Sequence, residues 1–142
     1  MVRIELTLEV ARVPEEVFAL LADLDRLPEW QASAIESRAD GELEVGARIH
    51  ERRRLMGREL ENELEVVAYD PPRRLTLKAL GGPVRFTVDH ELQDADGSTR
   101  LTVVAEGKAG GMMKFAEPAI ARTAKEEFRK DFDRLKELLE AG

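Results

Sequence analysis

The segment from Arg48 to Glu65 constrains the fold more than any other stretch, because it reads as one hairpin in one register. With Met56-Gly57 as a two-residue turn, Arg54 faces Glu59, Arg52 faces Glu61, His50 faces Glu63 and Arg48 faces Glu65. Opposite charges meet along that face. A slip of one residue moves every side chain to the other face and sets charged groups against apolar ones. The charged face is therefore the solvent face, and the run of glutamates on it is a cross-paired surface, not an acidic binding stripe. The inner face carries Ala47, Ile49, Glu51, Arg53 and Leu55 opposite Val66, Leu64, Asn62, Leu60 and Arg58.

The same alternation extends in both directions. Val2, Ile4, Leu6, Leu8 and Val10 line one side of an N-terminal strand, with Arg3, Glu5, Thr7 and Glu9 on the other. Pro14 at a first helical position, Glu15 and Glu16 in the first turn, and Val17, Phe18, Leu20 and Leu21 spell a short amphipathic helix. A second short turn begins at Asp23 and is interrupted by Pro28. From about residue 34 to residue 107, strands are punctuated by turn pairs at Asp40-Gly41, Met56-Gly57, Asp70-Pro71-Pro72, Gly81-Gly82-Pro83 and Asp96-Gly97. After Gly110-Gly111, Ala116, Ile120, Ala124, Phe128, Leu135 and Leu139 recur at helical spacing, and Pro118 kinks that helix or delays its regular start. A chain of 142 residues suits one domain, 1–142, that buries roughly two thirds of its unfolded surface.

A net charge of -7 disfavours nucleic acid as a partner, since that affinity rests on clustered Lys and Arg. With 0 Cys there is neither disulfide nor thiolate chemistry. The N-terminus alternates where a signal peptide or membrane span has a continuous apolar run. The expectation is a cytoplasmic protein without integral membrane association; its oligomeric state is left open.

The order strand, two short helices, six strands and long helix resembles the START-like (SRPBCC) superfamily of polyketide cyclases and dehydrases, lipid-transfer domains and the birch pollen allergen. The segments that carry the likeness are Val13-Pro14-Glu15-Glu16-Val17-Phe18, Asp23-Leu24-Asp25, Leu27-Pro28-Glu29-Trp30, Val45-Gly46, Tyr69-Asp70-Pro71-Pro72-Arg73-Arg74-Leu75, Asp96-Gly97-Ser98-Thr99-Arg100-Leu101 and Leu135-Lys136-Glu137-Leu138-Leu139-Glu140. The resemblance implies an α+β helix-grip (Bet v 1-like) fold. In it a seven-stranded curved antiparallel sheet, two short helices and a long C-terminal helix enclose a pocket. It also implies that the pocket mouth lies between the hairpin tips and the start of the long helix. The superfamily contains binders, transporters, cyclases and interaction modules, so fold alone does not choose among them.

The Gly81-Gly82 turn predicts Leu77 opposite Phe86 and Ala79 opposite Val84, and the Asp96-Gly97 turn predicts Leu92 opposite Leu101 and His90 opposite Val103. Expected pocket walls are Leu64, Val66, Leu77, Phe86, Val88, Val103, Ala116, Ile120 and Ala124, with Met112, Met113 and Phe115 as adaptable lips. Glu51, Arg53 and Asn62 face inward near the mouth. They either hold the polar head of a ligand or pair with one another at the rim.

His90 is the inward histidine, read as a hydrogen-bonded core residue with no acid beside it. It is placed about eight residues, roughly 25 Å, along the strand direction from Asn62. His50 is a surface residue, so no metal site forms. Trp30 anchors its turn on the core. No cofactor and no catalytic constellation is identified. The leading reading is a binder of a hydrophobic small molecule, lipid- or polyketide-like, between sheet and helix. The alternatives are a cyclase- or dehydrase-like enzyme, a protein-interaction module, and a pocket filled by side chains.

Overall fold

Inward-facing aliphatic side chains at every second position lay seven strands into one antiparallel sheet. In the computed structural model, which describes residues 1–55, 57–81, 84–109 and 116–142, they are β1 (Val2–Val10), β2 (Ala34–Ala39), β3 (Arg48–Leu55), β4 (Arg58–Asp70), β5 (Arg74–Ala79), β6 (Val84–Asp94) and β7 (Thr99–Ala109). Their spatial order is β1-β7-β6-β5-β4-β3-β2. Between β1 and β2 lie α1 (Pro14–Leu21), a 3-10 turn (Leu24–Arg26) and α2 (Leu27–Trp30). The chain closes with α3 (Glu117–Ala141). This is the seven-stranded helix-grip architecture the resemblance implied.

The β3–β4 register is the one the charges require, from Arg48 opposite Glu65 to Leu55 opposite Arg58. The ion pairs, however, do not all cross straight. Arg54 meets Glu59 at 3.1 Å, but Arg48 reaches diagonally to Glu63, Arg52 to Glu36 on β2, and His50 to Asp40 beyond β2. The β6–β7 turn also stands as expected, with Leu92 opposite Leu101 and His90 opposite Val103. Asp96 and Gly97 both take positive φ, 57° and 90°, as a tight hairpin turn between right-twisted strands requires.

The β5–β6 connection departs from expectation. Leu77 stands opposite Val88, not Phe86, so the register is displaced by two residues. The first strand ends at Ala79 and the second begins at Val84, a longer connection than a two-residue turn, and Pro83 lacks the N–H that a ladder position needs. Because the displacement is even, Leu77, Phe86 and Val88 keep to one face.

Pro28 opens α2 within its first turn instead of interrupting it. Pro118 likewise sits in the first turn of α3, which starts late and runs on to Ala141.

Two irregularities curl the sheet. Between Val66 and Ala68, and between Ala34 and Glu36, the register shifts by one residue, and such bulges bend a strand and increase its twist. The first also swaps the faces of β4. Before it Leu64 and Val66 point inward; after it Tyr69 does, packing its ring 5.7 Å from Phe18 of α1.

The two ends of α3 are held differently. At the C-terminal end, the Arg12 guanidinium donates to the carbonyl oxygens of Glu140 and Gly142, and the Glu140 carboxylate accepts from the Ala11 amide. Phe132 and Leu135, in that half, are the two α3 residues buried completely. Ile120, Ala124 and Phe128 of the N-terminal half are only half-buried.

Candidate functional site

Arg53 draws the loop after α2 onto the sheet. Its guanidinium donates to Ser33 Oγ at 2.8 Å and to Gln31 Oε1, while its Nε lies 3.0 Å from Glu51 Oε1. The same Glu51 oxygen accepts from Asn62 Nδ2 at 3.2 Å. Glu51 is the buried member, with a side chain 2% exposed against 20% for Arg53. The polar cluster predicted at the pocket is therefore formed, and its members pair with one another. Asp131 joins from α3, accepting the Ala32 N–H at 3.2 Å. Burial raises its carboxyl pKa above the ordinary range, against the opposing pull of the Ala32 N–H and the Arg53 charge.

Behind this rim lies a cavity of about 50 Å³. It has room for a few water molecules and none for a lipid chain without rearrangement. Four predicted site residues line it: Glu51, Arg53, Leu64 and Leu77. The rest of its wall was not predicted, and comes from the segment running from the end of α1 through α2 (Leu21, Ala22, Leu24, Leu27, Trp30, Gln31), from Leu43, and from Ile49, Leu75 and His90 of the sheet. The signal for part of this was present, since Ile49 alternates with Glu51 and Arg53, and the Leu27 to Trp30 segment has two large apolar side chains on one short turn.

Other predicted residues lie elsewhere. Asn62 holds Glu51 from outside the lining. Val66, Val88 and Val103 are buried in the core. Phe86 is half-buried and borders a broad depression beside Leu80, Arg85 and Lys108. Ile120 and Ala124 face the core only partly, and Ala116 is exposed, contrary to its expected place in the wall. Met112, Met113 and Phe115 lie outside the described residues.

His90 was expected far from the Glu51 end, yet it lines the same cavity as Glu51 and Arg53. Counting residues along a flat strand overstated the separation, because the sheet curls at its bulges and brings both to one concave side. Its Nδ1 lies 2.9 Å from the Leu75 carbonyl oxygen, which can only accept, so Nδ1 carries the proton. Burial pushes the imidazole pKa below its usual value, outweighing the Leu75 hydrogen bond and the Asp89 charge. The ring is therefore neutral, with Nε2 as an acceptor.

That depression sets a sign for acid stability. Below about pH 6.5 the unfolded chain takes up a proton at His90 that the folded chain refuses. The stability from a neutral His90 is thus complete above that pH. It is lost as pH falls toward the folded pKa, at up to about 1.4 kcal/mol per pH unit. Urea melts between about pH 8 and pH 5 are expected to show the loss, and His90→Asn to flatten it. A profile that the substitution leaves unchanged would remove His90 as its source.

Among the described residues no group of three His, Asp or Glu side chains converges as a metal site, and no helix is long and apolar enough to cross a membrane. A curved sheet gripping a long helix over a partly polar cavity defines the START-like class. Within it, residues 1–140 match the family described as polyketide cyclase / dehydrase and lipid transport, and the chain belongs to that family.

No curated protein matches the sequence. Among solved structures, a START superfamily protein from Mycobacterium smegmatis superposes with a TM-score of 0.85 at 14% identity, covering 99% of this chain and 99% of that one. A protein from Thermus thermophilus, TTHA0849, gives 0.81 at 15% identity, with 98% and 97% covered. The di-domain ARO/CYC BexL from the BE-7585A biosynthetic pathway gives 0.78 at 16% identity, with 96% of this chain lying on 46% of that one.

Proposed function

We propose that this protein binds a hydrophobic small molecule, lipid- or polyketide-like, between the sheet and α3. The observation that carries the reading is the uneven docking of α3. Its C-terminal half is locked by Arg12, Phe132 and Leu135, whereas Ile120, Ala124 and Phe128 leave apolar surface half covered, and a separate small cavity stands between the α1–α2 segment and strands β3 to β6. An occupant gains affinity by completing that burial. Because the cavity is small, binding requires the N-terminal half of α3 or the α2 loop to move outward. Membership of a family described by lipid transport and polyketide cyclisation supports the same reading. We place the protein in the cytoplasm, where a chain with 0 Cys has no need of an oxidising environment.

A second reading is favoured by the meeting of His90 with Glu51 and Arg53 around one cavity, since a neutral imidazole beside an ion pair suits proton transfer to or from a bound enolisable ligand.

Native mass spectrometry of the purified protein, before and after gentle denaturation, is expected to find a co-purified apolar molecule, or an apoprotein that enhances the fluorescence of an apolar dye. An empty protein that leaves the dye dark, while Leu77→Ala in the cavity wall brightens it, would mean a core filled by its own side chains and would sink the binding reading.

A further inference from the structure

We propose that the cavity contains a hydroxyl subsite, in which Trp30 Nε1–H donates to the oxygen of a hydroxyl on the ligand head and His90 Nε2 accepts its proton in a hydrogen bond. The inference rests on the binding reading above and adds the chemistry of the head group.

Trp30 is 2% exposed, and its Nε1 is one of three buried side-chain polar atoms without a partner among the described residues, the others being Ser37 Oγ and Arg52 Nε. Trp30 alone of these three residues lines the cavity. His90 lines it as well, and its hydrogen bond to Leu75 uses Nδ1, leaving Nε2 without a hydrogen bond among the described residues. Both rings pack on Phe132, with centroids 5.2 Å and 5.9 Å from it, so the residue with the vacant donor and the residue with the vacant acceptor share one aromatic floor.

Buried polar groups in folded proteins are almost always paired, and a buried donor without a partner, on a residue that lines a cavity, marks where an occupant that shifts the wall slightly supplies one. The remaining polar groups of the lining, Glu51, Arg53 and Gln31, already satisfy one another. A carbonyl head would serve Trp30 but face the His90 lone pair with its own. A carboxylate would meet a neutral imidazole with no proton at Nε2. A hydroxyl both accepts and donates, and so serves both atoms.

The chain has 1 Trp, so its indole N–H gives one resonance that reports this wall directly. The test is titration of the ¹⁵N-labelled protein with phenol and with toluene, which share a shape and differ by the hydroxyl. Phenol is expected to move the indole N–H downfield and to bind about tenfold more tightly than toluene, the combined effect of two modest hydrogen bonds. His90→Asn keeps an amide near the Leu75 carbonyl but places nothing at the Nε2 position. It should cut phenol's advantage from about tenfold to about threefold, the share of the hydrogen bond that Trp30 still makes, and leave toluene unchanged. Should that variant fail to fold, Trp30→Phe followed by calorimetry carries the same expectation.

Toluene binding as tightly as phenol, or tighter, would overturn the subsite while the binding reading stands. If neither compound moves the indole and the apolar dye also stays dark, the wall is closed by water alone and both readings fall.

Discussion

Phe132→Ala is expected to destabilise the protein by about 3–5 kcal/mol, the largest loss from any single apolar truncation here. Phe132 is 2% exposed and forms the common floor for three other rings. Trp30 and His90 meet it at tilts of 53° and 50°, and Phe128 stacks on it at 6.2 Å. Truncation removes the transfer energy of the ring, leaves a void because the sheet beneath cannot collapse into it, and deletes tilted ring contacts worth about 0.5–1.5 kcal/mol each. Phe128→Ala, at a half-buried position one turn earlier, should cost clearly less. Urea melts at neutral pH check both through the midpoint at unchanged slope. A loss under about 1 kcal/mol for Phe132→Ala would show that α3 docks through other contacts. The void would also adjoin the cavity lined by Trp30 and His90, so the variant tests whether room is what limits occupancy.

How much of this was legible in the sequence depends on whether local pattern or global curvature decides the position. The β3–β4 register was legible to the residue because charge fixes it at four successive outward positions, and the Asp96-Gly97 turn because its φ values suit few other residues. Gly81-Gly82 misled, since two glycines resemble a tight turn whether or not the connection is longer; Pro83 was the clue that it is. The inner face survived that error through parity.

The site was less legible. Glu51, Arg53, Leu64 and Leu77 followed from alternation, but Trp30, Leu43 and His90 reach the cavity only because bulges curl the sheet and a loop folds over it. Val67 carries no mark in the sequence that makes it the extra residue of a bulge. Distances counted along an ideal strand therefore failed at His90, where tertiary shape outweighs spacing.

Arg53→Met is expected to cost about 3–5 kcal/mol, out of proportion to an ion pair at a rim, because of what it leaves behind. The Glu51 carboxylate would stay buried with Asn62 as its remaining side-chain partner, and a buried charge stripped of its counter-ion loses solvation without compensation. The converse change is milder. In Glu51→Leu the guanidinium is the more exposed partner and still donates to Ser33 and Gln31. The double variant Glu51→Leu/Arg53→Met should then recover most of what Arg53→Met lost, since two apolar side chains of similar volume replace the pair.

Recovery should be incomplete by roughly 1–2 kcal/mol, the worth of the two hydrogen bonds that tie the loop after α2 to β3. The cycle thus separates the two tasks of Arg53, neutralising a buried carboxylate and tethering the loop over the cavity. Additive losses, with the double variant worse than Arg53→Met, would mean that Glu51 is hydrated in solution and that the pair contributes little. Strong coupling with a residual loss near zero would mean that the loop holds its place through Trp30 and the Ala32 to Asp131 hydrogen bond alone.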